Sequence, residues 1–227
     1  MVRLGIVTGL ASEVGCLGTV GAGARVVCAA ADPGRADRAV RDLLARGCRG
    51  LISFGIAGGL DPGVAVGTPI LAATVVTPDG RRLPTDAAWR ERVRTRLASD
   101  VVAIGGDLVG SDHVVGDEAA KRRLREASGA AAVDMESHVV ASAAAACAVP
   151  FVVIRVVSDG AGDVIPAWVP ATIRPDGRPA TAAVLRGLLA RPGDLPNLVR
   201  LRANSRRALV TLRRVAARAG PLFCLDG

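Results

Sequence analysis

From Phe151 to Gly160 the chain runs Phe151-Val152-Val153-Ile154-Arg155-Val156-Val157-Ser158-Asp159-Gly160. Its first seven residues are mostly β-branched, follow Pro150 and end at a Ser-Asp-Gly turn signal, which specifies a buried strand with polar groups at its carboxyl end. Ligands in open α/β sheets sit beyond the carboxyl ends of strands, so Ser158 and Asp159 fall where chemistry is done. Locally, Asp before Gly also serves simply to cap a turn.

Outward from this strand the chain alternates strands and helices. Leu4–Thr8 is a short apolar run ending in Gly9, with Ser12 and Glu13 beyond it at the start of a helix, and Arg25–Ala30 is a further strand candidate. Between Arg35 and Cys48, Ala36, Val40, Leu43 and Leu44 recur at helical spacing and Gly47 stops the pattern. Leu51–Phe54 then runs as a strand into Gly55-Ile56-Ala57-Gly58-Gly59, giving the strand, helix, strand, glycine-loop order of a mostly parallel sheet. Strands over Pro69–Thr77 and Val101–Val109 and helices over Ala87–Ser99, Glu118–Ser128 and Ser137–Cys147 follow. The expected architecture is α/β and three-layered, with a mixed, mostly parallel central sheet flanked by helices. After Gly162 six prolines between Pro166 and Pro196 break the chain, and a last helix is expected over about Asn197–Arg218. Residues 1–173 are thus read as one domain and 174–227 as a basic, proline-interrupted extension.

The 227 residues suffice for a substantial core, and with no Tyr, three Phe and two Trp that core must be aliphatic. Arg outnumbers Lys 28 to 1, so a single arginine carries little functional weight. The net charge of +8 sits at one end: residues 1–173 hold 18 basic and 18 acidic side chains, residues 174–218 hold 11 Arg against Asp176 and Asp194. Five widely spaced cysteines, no CxxC pair and two His argue for reduced thiols, no metal site and a cytoplasmic protein. Glu13 and repeated glycines interrupt the apolar N-terminus and exclude a secretory signal there.

Three segments together resemble the purine nucleoside phosphorylase and methylthioadenosine/S-adenosylhomocysteine nucleosidase superfamily. They are Gly5-Ile6-Val7-Thr8-Gly9-Leu10-Ala11-Ser12-Glu13-Val14, then Phe54-Gly55-Ile56-Ala57-Gly58-Gly59-Leu60-Asp61 with Val66-Gly67-Thr68, and finally Ala132-Val133-Asp134-Met135-Glu136-Ser137 with Val149 to Asp159. The resemblance covers roughly residues 4–163. It implies cleavage of a nucleoside's N-glycosidic bond without a cofactor, by water or with phosphate as co-substrate. Breaking the C1′–N9 bond builds positive charge on the ribose and negative charge on the base, so the chemistry needs a proton donor at the base and an anion near the sugar.

Carried over residue by residue, the resemblance makes Asp159 the general acid at purine N7, Glu136 the acceptor for the ribose hydroxyls, Met135 a sugar contact and Glu13 the activator of water. Arg155 matches a pocket arginine, Ala57, Gly58 and Ser158 border the pocket, and the Gly55–Gly59 amides are placed for phosphate or the ribosyl side. Each has a plainer reading. Glu136 and Glu13 are favourable charges in a helix's first turn, Met135 is core, Gly55–Gly59 is a tight turn from strand to helix, and Arg155 faces outward. The loop Gly9 to Gly15 contains no Arg, which favours water over phosphate, while Arg25, Arg49 and Arg155 are the cations able to approach from elsewhere.

The chain also departs from the nucleosidase pattern. Ile56 stands where a serine is expected, Val114 where an aromatic stacks on the base, and the second aspartate arrives one residue late as Asp163. The base then stacks on aliphatic groups, His113 or Phe54. His113, beside Asp112, is a candidate ligand-side residue, and His138 in an Ala-rich helix reads as structural.

In the tail, Leu198, Leu201, Ala208, Leu209, Leu212, Val215 and Ala216 keep helical spacing among arginines. Such a helix either lies on an anionic membrane or packs its apolar face on the domain, and without interleaved aromatics it gives no sign of nucleic-acid binding. A nucleosidase-like domain with an Arg-rich extension resembles the hopanoid-associated phosphorylases, which implies a 5′-substituted adenosine such as adenosylhopane as substrate. That resemblance fits peripheral contact at the inner membrane face and a homo-oligomer. The alternatives are a phosphate-dependent purine nucleoside phosphorylase and a non-catalytic binding module on the same fold.

Overall fold

A computed structural model describes residues 3–18, 23–98 and 101–225. The element order is β1 (Leu4–Thr8), α1 (Ala11–Val14), β2 (Ala24–Cys28), α2 (Pro33–Ala45), β3 (Gly50–Gly59), β4 (Pro69–Val76), β5 (Arg82–Pro84) and α3 (Ala87–Leu97). It continues with β6 (Ile104–Gly110), α4 (Glu118–Ser128), β7 (Ala132–Asp134), α5 (Ser137–Ala146), β8 (Phe151–Asp159), α6 (Thr181–Ala190) and α7 (Leu195–Ala219). The expected end of α3 at Ser99 lies outside the described residues.

The sheet is mixed, and parallel pairings predominate, as the alternation of strands and helices requires. β1 lies between β2 and β3, both parallel to it. β3 pairs with β8 in parallel and β7 in antiparallel sense; β7 pairs with β6, β6 with β4, and β4 with β8. Five strands therefore close on themselves around β8, whose nine residues are all buried. A strand hydrogen-bonded on both sides at the centre of the sheet must be apolar throughout, which explains the near-continuous Val and Ile of Phe151–Val157.

Helices cover both faces. On one side Ala36, Val40 and Leu43 of α2 and Val140, Ala141 and Ala144 of α5 pack on Val7, Leu51, Val153 and Val157. On the other, Trp89 and Val93 of α3 and Ala208, Leu212 and Val215 of α7 pack on Ile52, Phe54, Val152 and Ile154. The apolar face of the last helix is thus core: Ala208, Leu212 and Val215 are fully buried, and Trp89 donates from Nε1 to the Phe223 carbonyl at 2.6 Å. Of the two fates open to this face in the sequence, packing on the domain is the one observed. Among the described residues no helix is long and apolar enough to cross a membrane.

Three expectations change. Gly55–Gly59 is no loop and no turn into a helix; it is the second half of a ten-residue strand, paired with β8 and β7. Its amides are engaged within the sheet, or in the case of Ile56 with a side chain, and do not form a phosphate cradle. Phe54 is fully buried in the core, edge-on to Phe223 with ring centroids 5.5 Å apart, and cannot stack on a base. The segment after Gly162 contains a helix, α6, that its proline content conceals.

Candidate active site

The segment after β1, the second half of β3 and the end of β7 border a small cavity of about 140 Å³, lined by Gly9, Glu13, Ile56, His113, Met135 and Glu136 among others, whereas Arg155, Ser158 and Asp159 of β8 line neither it nor the larger cavity beside it. Glu13 stands on the first turn after β1 and is 1 % exposed. Its Oε2 accepts from the Gly9 and Leu10 amides at 2.7 and 2.8 Å, and its Oε1 from the Ile56 amide at 2.9 Å. Burial pushes this carboxyl above its usual range, against the pull of Arg155 and the three amides.

Arg155 points inward from β8 and is completely buried. Its Nη2 donates to Ser53 Oγ at 2.6 Å and to Glu136 Oε2 at 3.1 Å, and its Nη1 donates to the Ile56 carbonyl at 3.2 Å. Its Nε lies 2.5 Å from Asp134 Oδ2, an ionic contact without the direction of a hydrogen bond. One guanidinium thus faces Glu13, Asp134 and Glu136, and its fixed fork of donors is suited to that task. Glu136, at the head of α5, is pushed up to about 8, chiefly by burial, with the Arg155 charge opposing and the Asp134 and Glu13 carboxylates adding to the rise. Two close approaches require glycine. A Cβ on Gly9 would come within 2.7 Å of Glu136 Oε1, and one on Gly55 within 2.5 Å of Arg155 Nη1 and 2.6 Å of Glu13 Oε1.

Asp159 ends β8 and is 4 % exposed. Ser158 Oγ lies 2.9 Å from its Oδ1 and 3.2 Å from the Ala57 carbonyl, with one hydroxyl hydrogen to give to either, while Gly58 and Val133 flank the carboxyl. Burial raises Asp159 above the usual carboxylate range, and a lysine partner, Lys121, draws it back part of the way. Two groups that matter here carry no signal in the sequence pattern. Lys121 lies in the charged stretch of α4, where a solvated face is the natural expectation, and Asp134 looks like a strand-end residue. That Lys121 is the only lysine in the chain is the one clue to it.

A larger cavity of about 780 Å³ shares Ala31, Met135, His113 and Val114 with the small one in its lining. Ala30, Ala31, Ile165, Pro166, Pro170 and Ile173 make its wall, with Arg35 and Arg174 at its edge. Val114 and His113 line both cavities. His138 lies behind them, its Nε2 3.2 Å from Asp112 Oδ1, in a structural position. Asp163 turns away from the cavity: it accepts from the Gly160 amide at 2.9 Å and lies 3.1 Å from Arg200 Nε. Arg25 and Arg49 line neither cavity. Among the described residues no group of three or more His, Cys, Asp or Glu is placed to hold a metal ion.

The chain matches known proteins over most of its length, and the family model for the phosphorylase superfamily matches residues 11–190. The chain belongs to that superfamily. A 5′-methylthioadenosine/S-adenosylhomocysteine nucleosidase of Mycobacterium tuberculosis is 30 % identical over 180 residues, covering 61 % of this chain and 71 % of the relative. Among solved structures, the futalosine hydrolase of Helicobacter pylori shares the fold with a TM-score of 0.70 at 16 % identity, over 96 % of this chain and 98 % of that one. A 5′-methylthioadenosine/S-adenosylhomocysteine nucleosidase from the same organism, solved with butyl-thio-DADMe-Immucillin-A, superposes with a TM-score of 0.68 at 15 % identity, over 96 % and 98 % of the two chains. As a member of this superfamily the protein is an enzyme of glycosidic-bond cleavage, a hydrolase or a phosphorylase.

Proposed function

We propose that the protein hydrolyses the N-glycosidic bond of an adenosine carrying a bulky apolar 5′ substituent and releases adenine. The observation that carries this reading is that a small carboxylate-lined cavity and a large, mostly apolar one share Met135, His113 and Val114 in their linings. The small cavity takes the ribosyl centre, and the apolar one takes whatever extends from the ribose 5′ carbon. At about 780 Å³ the larger cavity is in the range of pockets that bury drug-sized ligands.

In this reading Asp159, whose carboxyl burial raises above its usual range, gives its proton to N7 as the C1′–N9 bond breaks and the bonding electrons leave with the base. Glu136 accepts hydrogen bonds from the ribose hydroxyls and faces the developing positive charge. Met135 packs on the sugar. Glu13 takes a proton from the attacking water through Oε1, which has only one amide donor and keeps a lone pair free. The one cation beside Glu13, Arg155, is already shared among carboxylates. A phosphate dianion here would face three buried acids whose single cation is already engaged, which supports water as the nucleophile.

Adenosylhopane, with its pentacyclic lipid on the 5′ carbon, is the substrate we favour, and a membrane surface is where such a molecule is presented. Support comes from α6 and the start of α7, where Leu185, Leu189, Leu195 and Val199 are 56, 84, 49 and 59 % exposed next to Arg186, Arg191 and Arg200. Trp168, two residues from Pro166 and Pro170 in the cavity wall, packs on Gly187 of α6 and donates to Asp194 at 2.8 Å. The apolar and basic surface therefore adjoins the cavity mouth. Incubation with adenosine, methylthioadenosine and adenosylhopane, with and without phosphate, and identification of the sugar product tests the proposal. Preferred cleavage of adenosylhopane to a free sugar supports it, and a sugar 1-phosphate product overturns it.

A further inference from the structure

Lys121 is the only lysine beside 28 arginines, and it is fully buried. It comes from α4, a helix whose other basic side chains Arg122, Arg123 and Arg125 remain at least partly in solvent. Its Nζ makes three hydrogen bonds: to Asp159 Oδ2 at 2.5 Å, to the Gly160 carbonyl at 2.8 Å and to the Asp163 carbonyl at 3.0 Å. All three contacts are to oxygens, which matches the three N–H donors and absent acceptor of an ammonium, and a buried cation needs every such donor engaged. The planar fork of an arginine does not match three acceptors gathered around a single nitrogen.

We propose that Lys121 is the positioning residue of the general acid: it anchors Oδ2 of Asp159 and fixes the pH range over which that carboxyl delivers its proton to the leaving base. The inference rests on the role given to Asp159 above. Ser158 Oγ engages Oδ1 and Lys121 engages Oδ2, so both carboxyl oxygens are held and the group cannot rotate freely. Around it, Lys121 comes from α4 and Asp163 from the following loop, and Arg200 and Asn204 of α7 reach it only through Asp163. β3 and β7 contribute uncharged Gly58 and Val133. Lys121 is therefore the nearest positive charge, and burial and Asp163 are the influences it offsets. Without that charge the carboxyl would bind its proton more tightly. It would keep the proton to higher pH, and give it up less readily to the base.

The test is kcat/KM against pH for adenine release by the wild type, Lys121→Met, Lys121→Arg and Asp159→Asn, each first checked for folding by circular dichroism. An opposite charge within contact distance moves a carboxyl by about 1–3 pH units. The alkaline limb of Lys121→Met should therefore rise by about that much, with Lys121→Arg returning toward the wild type and Asp159→Asn inactive throughout. If Lys121→Met does not fold, Lys121→Gln, which is neutral and still a donor, carries the same measurement. A folded neutral variant whose alkaline limb coincides with the wild type overturns the role of Lys121 while leaving Asp159 as the acid. An active Asp159→Asn overturns both. A riboside with 4-nitrophenoxide as leaving group, which departs without a proton, adds a second readout. The neutral variants should lose at least tenfold less activity on it than on the adenine nucleoside, and equal losses on both contradict the proposal.

Discussion

Arg155, in the middle of β8, and Glu136, just beyond β7, meet at 3.1 Å, both buried, with Asp134 against the same guanidinium. This contact joins the core of the sheet to the small cavity, because Arg155 stands on the central strand and Glu136, which lines that cavity, caps α5. Three acids share one cation here, so protons are distributed over the cluster rather than assigned to single residues.

Removing the cation should therefore be severe. Arg155→Met leaves Glu13, Asp134 and Glu136 buried without a counter-charge, and breaking a buried pair in this way costs about 3–5 kcal/mol. Urea denaturation at neutral pH should show a loss of that size together with loss of turnover. A variant as stable as the wild type would mean that the three acids are neutral in the folded protein.

Glu136→Gln should separate stability from activity. The carboxyl is raised to about 8 in the folded protein, above its unfolded value, so it favours the folded state at low pH and that contribution is lost as pH rises through 8. A glutamine has no proton to lose. The variant should therefore lose less stability than the wild type between about pH 5 and pH 9, while adenine release falls because the sugar hydroxyls lose a carboxyl acceptor. Parallel melting curves against pH for the two proteins check this, and identical slopes would remove burial as the cause of the shift.

Glu13→Gln should slow hydrolysis by about 10²–10⁴, the usual worth of general acid–base catalysis. Added phosphate should not restore the rate, because the substitution leaves Arg155 engaged with Asp134 and Glu136 and frees no cation for an anion. Rescue by phosphate would point to a phosphorylase whose anion site the glutamate merely borders.

Much of the fold was legible because its strongest signals are local. The β-branched run of β8 and the charge pattern of α4 appear as the expected strand and helix, with Asp159 at the end of β8, Glu13 in α1 and Glu136 just before α5. Gly55–Gly59 misleads because glycine usually marks a turn, whereas here Gly55 is small to make room for Arg155 and Glu13 against a continuing strand. β7 has three residues, too few for any periodicity, and its partners lie far along the chain. The partnership of Lys121 with Asp159 spans 38 residues and leaves no mark on either neighbourhood.

The C-terminal region should divide into two parts in experiment. Truncation after Arg191 removes Ala208, Leu212 and Val215 from the core, and each large aliphatic lost there costs about 2–5 kcal/mol, so the shortened protein should be insoluble. Leu185→Ser with Leu189→Ser, both exposed, should fold normally and turn over methylthioadenosine at the wild-type rate. The same pair should weaken co-sedimentation with vesicles of phosphatidylcholine and phosphatidylglycerol at low salt. Undiminished sedimentation would dismiss α6 as the membrane contact.

Hydrolysis with Asp159 as the acid is tested most directly by the product formed from a 5′-alkylthio adenosine in phosphate-free buffer, followed by chromatography for the wild type and Asp159→Asn. Free adenine and a free 5′-substituted ribose from the wild type, with at least about a hundredfold less from a folded Asp159→Asn, is the predicted result. No adenine without phosphate, or an Asp159→Asn variant that releases it at more than about a tenth of the wild-type rate, would contradict that chemistry.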